Sequence, residues 1–68
     1  MYVLVDKKSA FKEYACVVVE KITSNGSCYY GLSITDSLGD ATKFADAGDA
    51  WTMLHEELKL TGWDVVEL

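Results

Sequence analysis

The sequence predicts an α+β fold in which one helix packs on one face of a mainly antiparallel sheet. We expect four or five strands, in the order β-β-β-β-α-β along a single domain covering residues 1–68. Three observations support this prediction. Apolar residues recur at helical spacing in one stretch, runs of β-branched residues occupy most of the rest, and an Asn-Gly dipeptide separates two of those runs. A domain this small buries only about 60% of the surface that its unfolded chain exposes.

The helix is predicted between Asp46 and Gly62. Asp46 is a favourable N-cap, because its carboxylate can accept hydrogen bonds from the free N–H groups of the first turn. Gly62 tolerates a positive φ and is the predicted residue just after the helix. The apolar stripe expected to face the sheet consists of Ala47, Ala50, Trp51, Leu54 and Leu58.

The remaining runs predict the strands. They are Tyr2–Val5, Tyr14–Thr23, Cys28–Thr35, a short fourth strand at Ala41–Phe44, and a final strand at Trp63–Leu68. The helix reverses the chain, so the final strand should return to the same sheet. We expect it beside the first strand, which would then be central.

Asn25-Gly26 predicts a two-residue type I′ turn between the second and third strands. A turn of that length sets the register, and it would place Ile22 opposite Tyr29. The bulkier apolar set is assigned to the core: Val17, Val19, Leu32 and Ile34. The outer face of the sheet would then hold Val18, Ile22 and Tyr29.

The charge of the chain is uneven. The net charge is −5, and residues 36–68 hold eight acids and two bases, whereas residues 1–35 hold three acids and four bases. All six basic residues are lysine. Nucleic-acid binding needs Lys and Arg to neutralise phosphates, so the composition argues against a direct nucleic-acid partner.

Nothing at the start of the sequence has the charged-then-apolar pattern of a signal peptide, and no apolar run approaches the ~20 residues of a membrane span. We therefore expect a cytoplasmic protein that does not bind a membrane. Two cysteines are fewer than a small secreted domain usually has, so Cys16 and Cys28 are predicted to be reduced thiols.

No set of residues predicts catalysis or a bound cofactor. His55 is the only histidine, and the second histidine of a zinc-protease helix would fall at position 59, where the chain has Lys59. Cys16 and Cys28 are expected at opposite ends of the hairpin. Glu56 and Glu57 point to different sides of the helix, so they do not form a pair of catalytic carboxylates. We therefore predict a protein that is not an enzyme and that has no catalytic, cofactor-binding or metal-binding residues.

The run from Tyr30 onward combines an aromatic strand, the segment TDSLGDATKF, the acid-capped DAGDAWTML and the closing GWDVVEL. This pattern resembles small phage and prophage proteins of uncharacterised function. The resemblance implies a phage or prophage origin and a similar arrangement of strand, helix and terminal strand. It assigns no functional residue.

Two functional hypotheses follow. The first is a small protein-interaction module that binds either a copy of itself, forming a homodimer, or a host factor, through Val18, Ile22 and Tyr29. The second is an acidic inhibitor that presents carboxylates where the phosphates of a nucleic acid would lie. Its acidic surface would consist of Asp36, Asp40, Asp46, Asp49, Glu56 and Glu57, with Asp64 and Glu67 nearby in sequence. Ordinary cross-strand pairing and solubility are the non-functional explanations of the same residues.

Overall fold

A computed structural model of residues 1–68 shows a four-stranded antiparallel sheet with one helical segment, which confirms the α+β class. The strands are β1 (Tyr2–Asp6), β2 (Tyr14–Ile22), β3 (Cys28–Thr35) and β4 (Trp63–Glu67). Their order across the sheet is β3-β2-β1-β4, so the final strand does lie beside the first. The order along the chain is β-β-β-α-β, one strand fewer than predicted.

The predicted strand at Ala41–Phe44 is wrong as a separate strand, because its hydrogen bonds are divided between two partners. Phe44 exchanges backbone hydrogen bonds of 2.8 Å with Tyr2 of β1, whereas the Thr42 N–H donates to the Ala15 carbonyl of β2 at 3.0 Å. β1 and β2 pair with each other only at one end. The segment therefore fills the gap where these two strands diverge.

The hairpin predicted at Asn25-Gly26 exists, but its turn differs from the type I′ prediction. The Thr23 N–H donates to the Ser27 carbonyl at 2.9 Å, so the loop between them has three residues. Only Gly26 has a positive φ, of 86°, whereas a type I′ turn also requires one at Asn25. A three-residue loop with a left-handed glycine at its third position is the next most common hairpin connection.

A β-bulge at Glu20 changes the register again, which corrects the predicted faces. Ile22 pairs with Cys28, and Tyr29 pairs with Lys21, so the predicted Ile22–Tyr29 pair does not form. Successive residues of a strand point to opposite faces. Ile22 therefore lies on the helix side of the sheet and Tyr29 on the outer face.

The core lies between the helix and the body of the sheet. Leu4, Ala15, Ala50 and Leu54 are buried. Packed around them are Tyr2, Leu32, Phe44, Met53, Leu58, Leu60, Trp63 and Val65.

Of the residues that the sequence assigned to the core, Leu32 packs there and Val17 is half-buried, but Val19 and Ile34 are exposed. The two residues have different reasons. The nine residues of β2 span roughly 30 Å, whereas the eleven helical residues span only about 16 Å, so the helix does not reach Val19. Ile34 lies opposite the buried Ala15, but on the edge strand β3, whereas α1 packs on β1 and β4.

The helical segment is shorter than predicted and has two parts. An α-helix, α1 (Ala47–Thr52), continues directly into one π-helical turn (Met53–Glu57). The Leu58 N–H donates to the Met53 carbonyl at 2.8 Å, a spacing of five residues. Lys59, with φ 52°, ends the helix, and Gly62, with φ 80°, lies in the turn that leads into β4.

Trp51 was predicted to lie on the buried stripe, and this is wrong. Its side chain is 39% exposed, and its ring stacks on the ring of His55 with centroids 5.1 Å apart. The buried side of the helix is centred on Ala50 and Leu54 and extends towards Met53, which places Trp51 on the opposite flank.

Candidate protein-binding surface

The distal part of the β2–β3 hairpin projects from the body, and we call the segment Val18–Tyr29 the arm. Every residue of the arm is exposed except Thr23, which is half-buried. The molecule measures 40 × 23 × 20 Å with a radius of gyration of 12.0 Å. A compact domain of this length would have a radius of about 11 Å, so the arm elongates the molecule.

Both faces of the arm expose large apolar side chains. Val18 and Tyr29 lie on the outer face and are 42% and 57% exposed, whereas Val19 and Ile22 lie on the helix side and are 53% and 67% exposed. All three residues of the predicted binding site are therefore accessible, but the structure places only two of them on one face. A two-stranded ribbon usually buries one apolar face. This one buries neither.

An apolar groove of about 320 Å³ lies on the outer face of the body. It is lined by Val3, Val5, Lys12, Tyr14, Leu38, Val66 and Leu68. Val3 pairs with Val66, and Val5 pairs with Tyr14, so β1, β2 and β4 all contribute to its floor.

This groove was not predicted from the sequence, although a signal for it was present. All four residues of Tyr2–Val5 are apolar or aromatic, without polar alternation. Such a run indicates a central strand with apolar side chains on both faces of the sheet.

The six predicted acidic positions are all exposed, but they belong to separate elements. Asp36 and Asp40 are in the loop after β3, Asp46 and Asp49 are at the start of the helix, and Glu56 and Glu57 are in its π-helical turn. The start and end of the helix are about 15 Å apart. Asp46 also has a structural role as the predicted N-cap, since its carboxylate accepts a 2.6 Å hydrogen bond from the Gly48 N–H.

One titratable group is clearly perturbed. The charge of Glu67 raises the pKa of Tyr2, and desolvation, a hydrogen bond to Glu67 and the charge of Asp46 raise it further. Tyr2 and Glu67 are directly opposite each other in the β1–β4 pair. The Tyr2 phenol therefore lies within electrostatic reach of two carboxylates at one end of the sheet.

The other reactive side chains do not converge. No three His, Cys, Asp or Glu side chains are grouped so that they could hold a metal ion. Cys16 and Cys28 are free thiols. In the register of the hairpin, Cys16 lies opposite Ser33, and Cys28 lies opposite Ile22. His55 is exposed and stacks on Trp51.

The fold and surface define a small α+β domain with an exposed apolar arm and an apolar groove. No protein-family model, curated protein or solved structure matches this chain. Its helical segment is too short to cross a membrane.

Proposed function

We propose that the chain is a non-enzymatic protein-interaction module, whose contact surface is the arm together with the outer face of the sheet. The observation that supports this proposal is the exposure of apolar side chains on both faces of the arm. Val18, Val19, Ile22 and Tyr29 have no packing partner within the chain that removes them from water.

A protein partner is the simplest way for these side chains to gain stabilising contacts. Complete burial of a Val, Ile or Tyr side chain contributes roughly 1.5–3 kcal/mol. Tyrosine is also enriched among the residues that dominate binding energy at interfaces. Tyr29 on the outer face is therefore the expected energetic centre of the contact.

The phage or prophage origin and the cytoplasmic location belong to the same proposal. They rest on the resemblance of the segment from Tyr30 onward to small phage and prophage proteins, and on the low number of cysteines. A protein that acts inside a host cell would meet its partner, a second copy or a host factor, without export.

The acidic-inhibitor hypothesis uses a different surface, so one experiment separates the two. A photo-crosslinking amino acid replaces Tyr29 in one variant and Asp49, on the acidic side, in another. Both variants are expressed in the host cell, the lysates are irradiated with and without added salt, and the covalent adducts are analysed by mass spectrometry.

We expect defined protein adducts from position 29 and none from position 49. Adducts from position 49 alone, lost when salt is added to the lysate before irradiation, would support the acidic inhibitor, because added ions screen exposed charges. The absence of adducts from both positions would contradict the proposal that the chain binds protein.

A further inference from the structure

β3 is an edge strand without the usual protection of an edge. It has eight residues, CYYGLSIT, with no charge and no proline. The bulge of the hairpin lies on β2, so β3 itself is regular. Natural sheets protect their edges with charged residues, proline, bulges or short strands, because free N–H and C=O groups bind other strands.

The hydrogen bonds of Thr42 reveal which backbone groups of β3 are free. Thr42 donates to the Ala15 carbonyl at 3.0 Å and accepts from the Val17 N–H at 2.7 Å, on the side of β2 that faces away from β3. Ala15 and Val17 therefore do not bond to the residues opposite them, which are Ile34 and Leu32. The N–H and C=O groups of those two residues must point outward from the sheet.

The same alternation extends along β3. Ser27 bonds to Thr23 across the turn, so the next residue, Cys28, faces away from β2. Tyr30 lies two residues from both Cys28 and Leu32 and also faces outward. The free edge therefore offers the N–H and C=O groups of four residues, Cys28, Tyr30, Leu32 and Ile34.

The opposite edge of the sheet is different. β4 has only five residues, and two of them, Asp64 and Glu67, are acidic. A short edge strand with negative charges resists pairing with a copy of itself, because like charges would lie close together. Self-pairing is therefore favoured at β3 and disfavoured at β4.

We infer that β3 pairs with β3 of a second copy, antiparallel and about a two-fold axis at Gly31, to form one continuous sheet of eight strands. This inference rests on the proposed function, since it names the partner of the interaction module. In this register Tyr30 lies opposite Leu32 of the second copy, and Cys28 lies opposite Ile34 of the second copy. All four outward residues of each chain are then paired.

A second copy fits this edge for three reasons. The outward residues are symmetric about Gly31, so a copy of the strand matches every free donor with an acceptor. β3 has no charge, so the net charge of −5 places no like charges opposite each other on the paired strands. Gly31 has no side chain to meet its own copy at the axis. The carboxylate of Glu20 lies over Gly31 but belongs to an exposed, flexible side chain, which has to turn away from its own copy in the dimer.

The first test compares Ile34→Pro with Ile34→Ala by sedimentation and light scattering. Both variants lose the same exposed side chain, but only proline removes the outward N–H, and proline is tolerated at that position of an edge strand. The wild-type chain should be a dimer. Proline should weaken dimerisation by about 10- to 100-fold relative to alanine, since each dimer loses two hydrogen bonds.

A wild-type chain that is monomeric at high concentration overturns the inference, as does a folded proline variant that dimerises as well as the alanine variant. Circular dichroism establishes whether the proline variant is folded. If it is unfolded, a second experiment decides the matter without any change to the backbone.

That second experiment is disulfide crosslinking. In the inferred register position 34 lies opposite Cys28 of the second copy, with Cα atoms about 5.5 Å apart, a distance that a disulfide spans. Mild oxidation of Ile34→Cys should therefore give a covalent dimer. Ser33→Cys is the matched control, because its opposite residue in the second copy is Tyr29. Both variants also carry Cys16→Ser, since Cys16 lies opposite position 33 within the hairpin and would otherwise form an intrachain disulfide with it. Equal crosslinking of both variants, or of neither, overturns the register.

The two proposals can fail separately. If position 29 forms adducts with a different protein while the wild-type chain stays monomeric, self-pairing is overturned and the proposed function stands. If the chain neither dimerises nor forms adducts, both are overturned.

Discussion

Lys59 and Gly62 both have left-handed backbone conformations, but only one of them is glycine. A residue with a Cβ is strained there by roughly 1–2 kcal/mol, and glycine avoids this strain at some cost in unfolded-state entropy. We expect Lys59→Gly to stabilise the protein by about 0.5–1 kcal/mol in urea unfolding.

Gly62→Ala is the natural comparison for Lys59→Gly. This substitution should destabilise the protein by about 1 kcal/mol or more. The positive φ at position 62 is unsuited to alanine, and the methyl group of alanine would meet the side chain of Lys8. If both substitutions changed stability in the same direction, the positive-φ explanation of this helix end would be wrong.

Tyr2 gives the fold a dependence on alkaline pH. Its pKa is raised above the ordinary value of 10.0, mainly by the charge of Glu67, so the folded state favours the neutral phenol. The stability from this group is complete below the unfolded pKa and is lost as pH rises through the folded pKa. Urea unfolding above pH 10 should therefore lose stability more steeply with pH in the wild type than in Tyr2→Phe. Parallel curves would show that Tyr2 makes no such contribution.

The residues that the sequence predicted correctly are those decided by local chemistry. Asp46 caps the helix, because an acceptor beside free N–H groups needs no distant partner. Trp51 was predicted wrongly, because its burial depends on how the whole helix is rotated against the sheet. Helical spacing identifies an apolar stripe but not the part of it that meets the strands.

At the scale of elements, the segment Ala41–Phe44 connects β1 to β2, and Thr42 is its main polar contact with β2. Its hydroxyl accepts the partly buried Val17 N–H at 2.7 Å. Thr42→Val keeps the shape but removes the acceptor, so we expect a loss of about 1–3 kcal/mol in thermal or urea unfolding.

Thr42→Ser is the control for that loss, because it retains the hydroxyl. It should be clearly more stable than Thr42→Val. Destabilisation by serine with no loss of stability in Thr42→Val would indicate that the methyl group, rather than the hydrogen bond, matters at this position.

The hairpin shows where prediction from the sequence stops. Its existence and approximate strand bounds followed from Asn25-Gly26 and the flanking β-branched runs. Its register did not, because the loop is one residue longer than predicted and Glu20 forms a bulge. Each one-residue change alters which side chains share a face. The candidate surface consequently kept Val18 and Tyr29 on one face but lost Ile22 to the other.

At the scale of the whole molecule, self-association should make stability depend on protein concentration. Binding between folded chains, and not between unfolded ones, raises the melting temperature as concentration increases. We expect such an increase in the wild type and in Glu57→Gln, a control on the exposed end of the helix. The melting temperature of Ile34→Pro should rise less over the same concentrations, because its dimer is weaker, and an equal rise in that variant would argue against β3 pairing.

The pairing of β1 has a consequence for the order in which the chain folds. β1 is bonded along its length to β4, which is distant in sequence, whereas β2 and β3 are joined by a short local loop. Contacts that are close in sequence form sooner than distant ones. The hairpin can therefore close while β1 still lacks its partner at residues 63–67. Two refolding chains would then meet through uncharged edges before either sheet is complete, so refolding at high protein concentration is the step most exposed to mispairing.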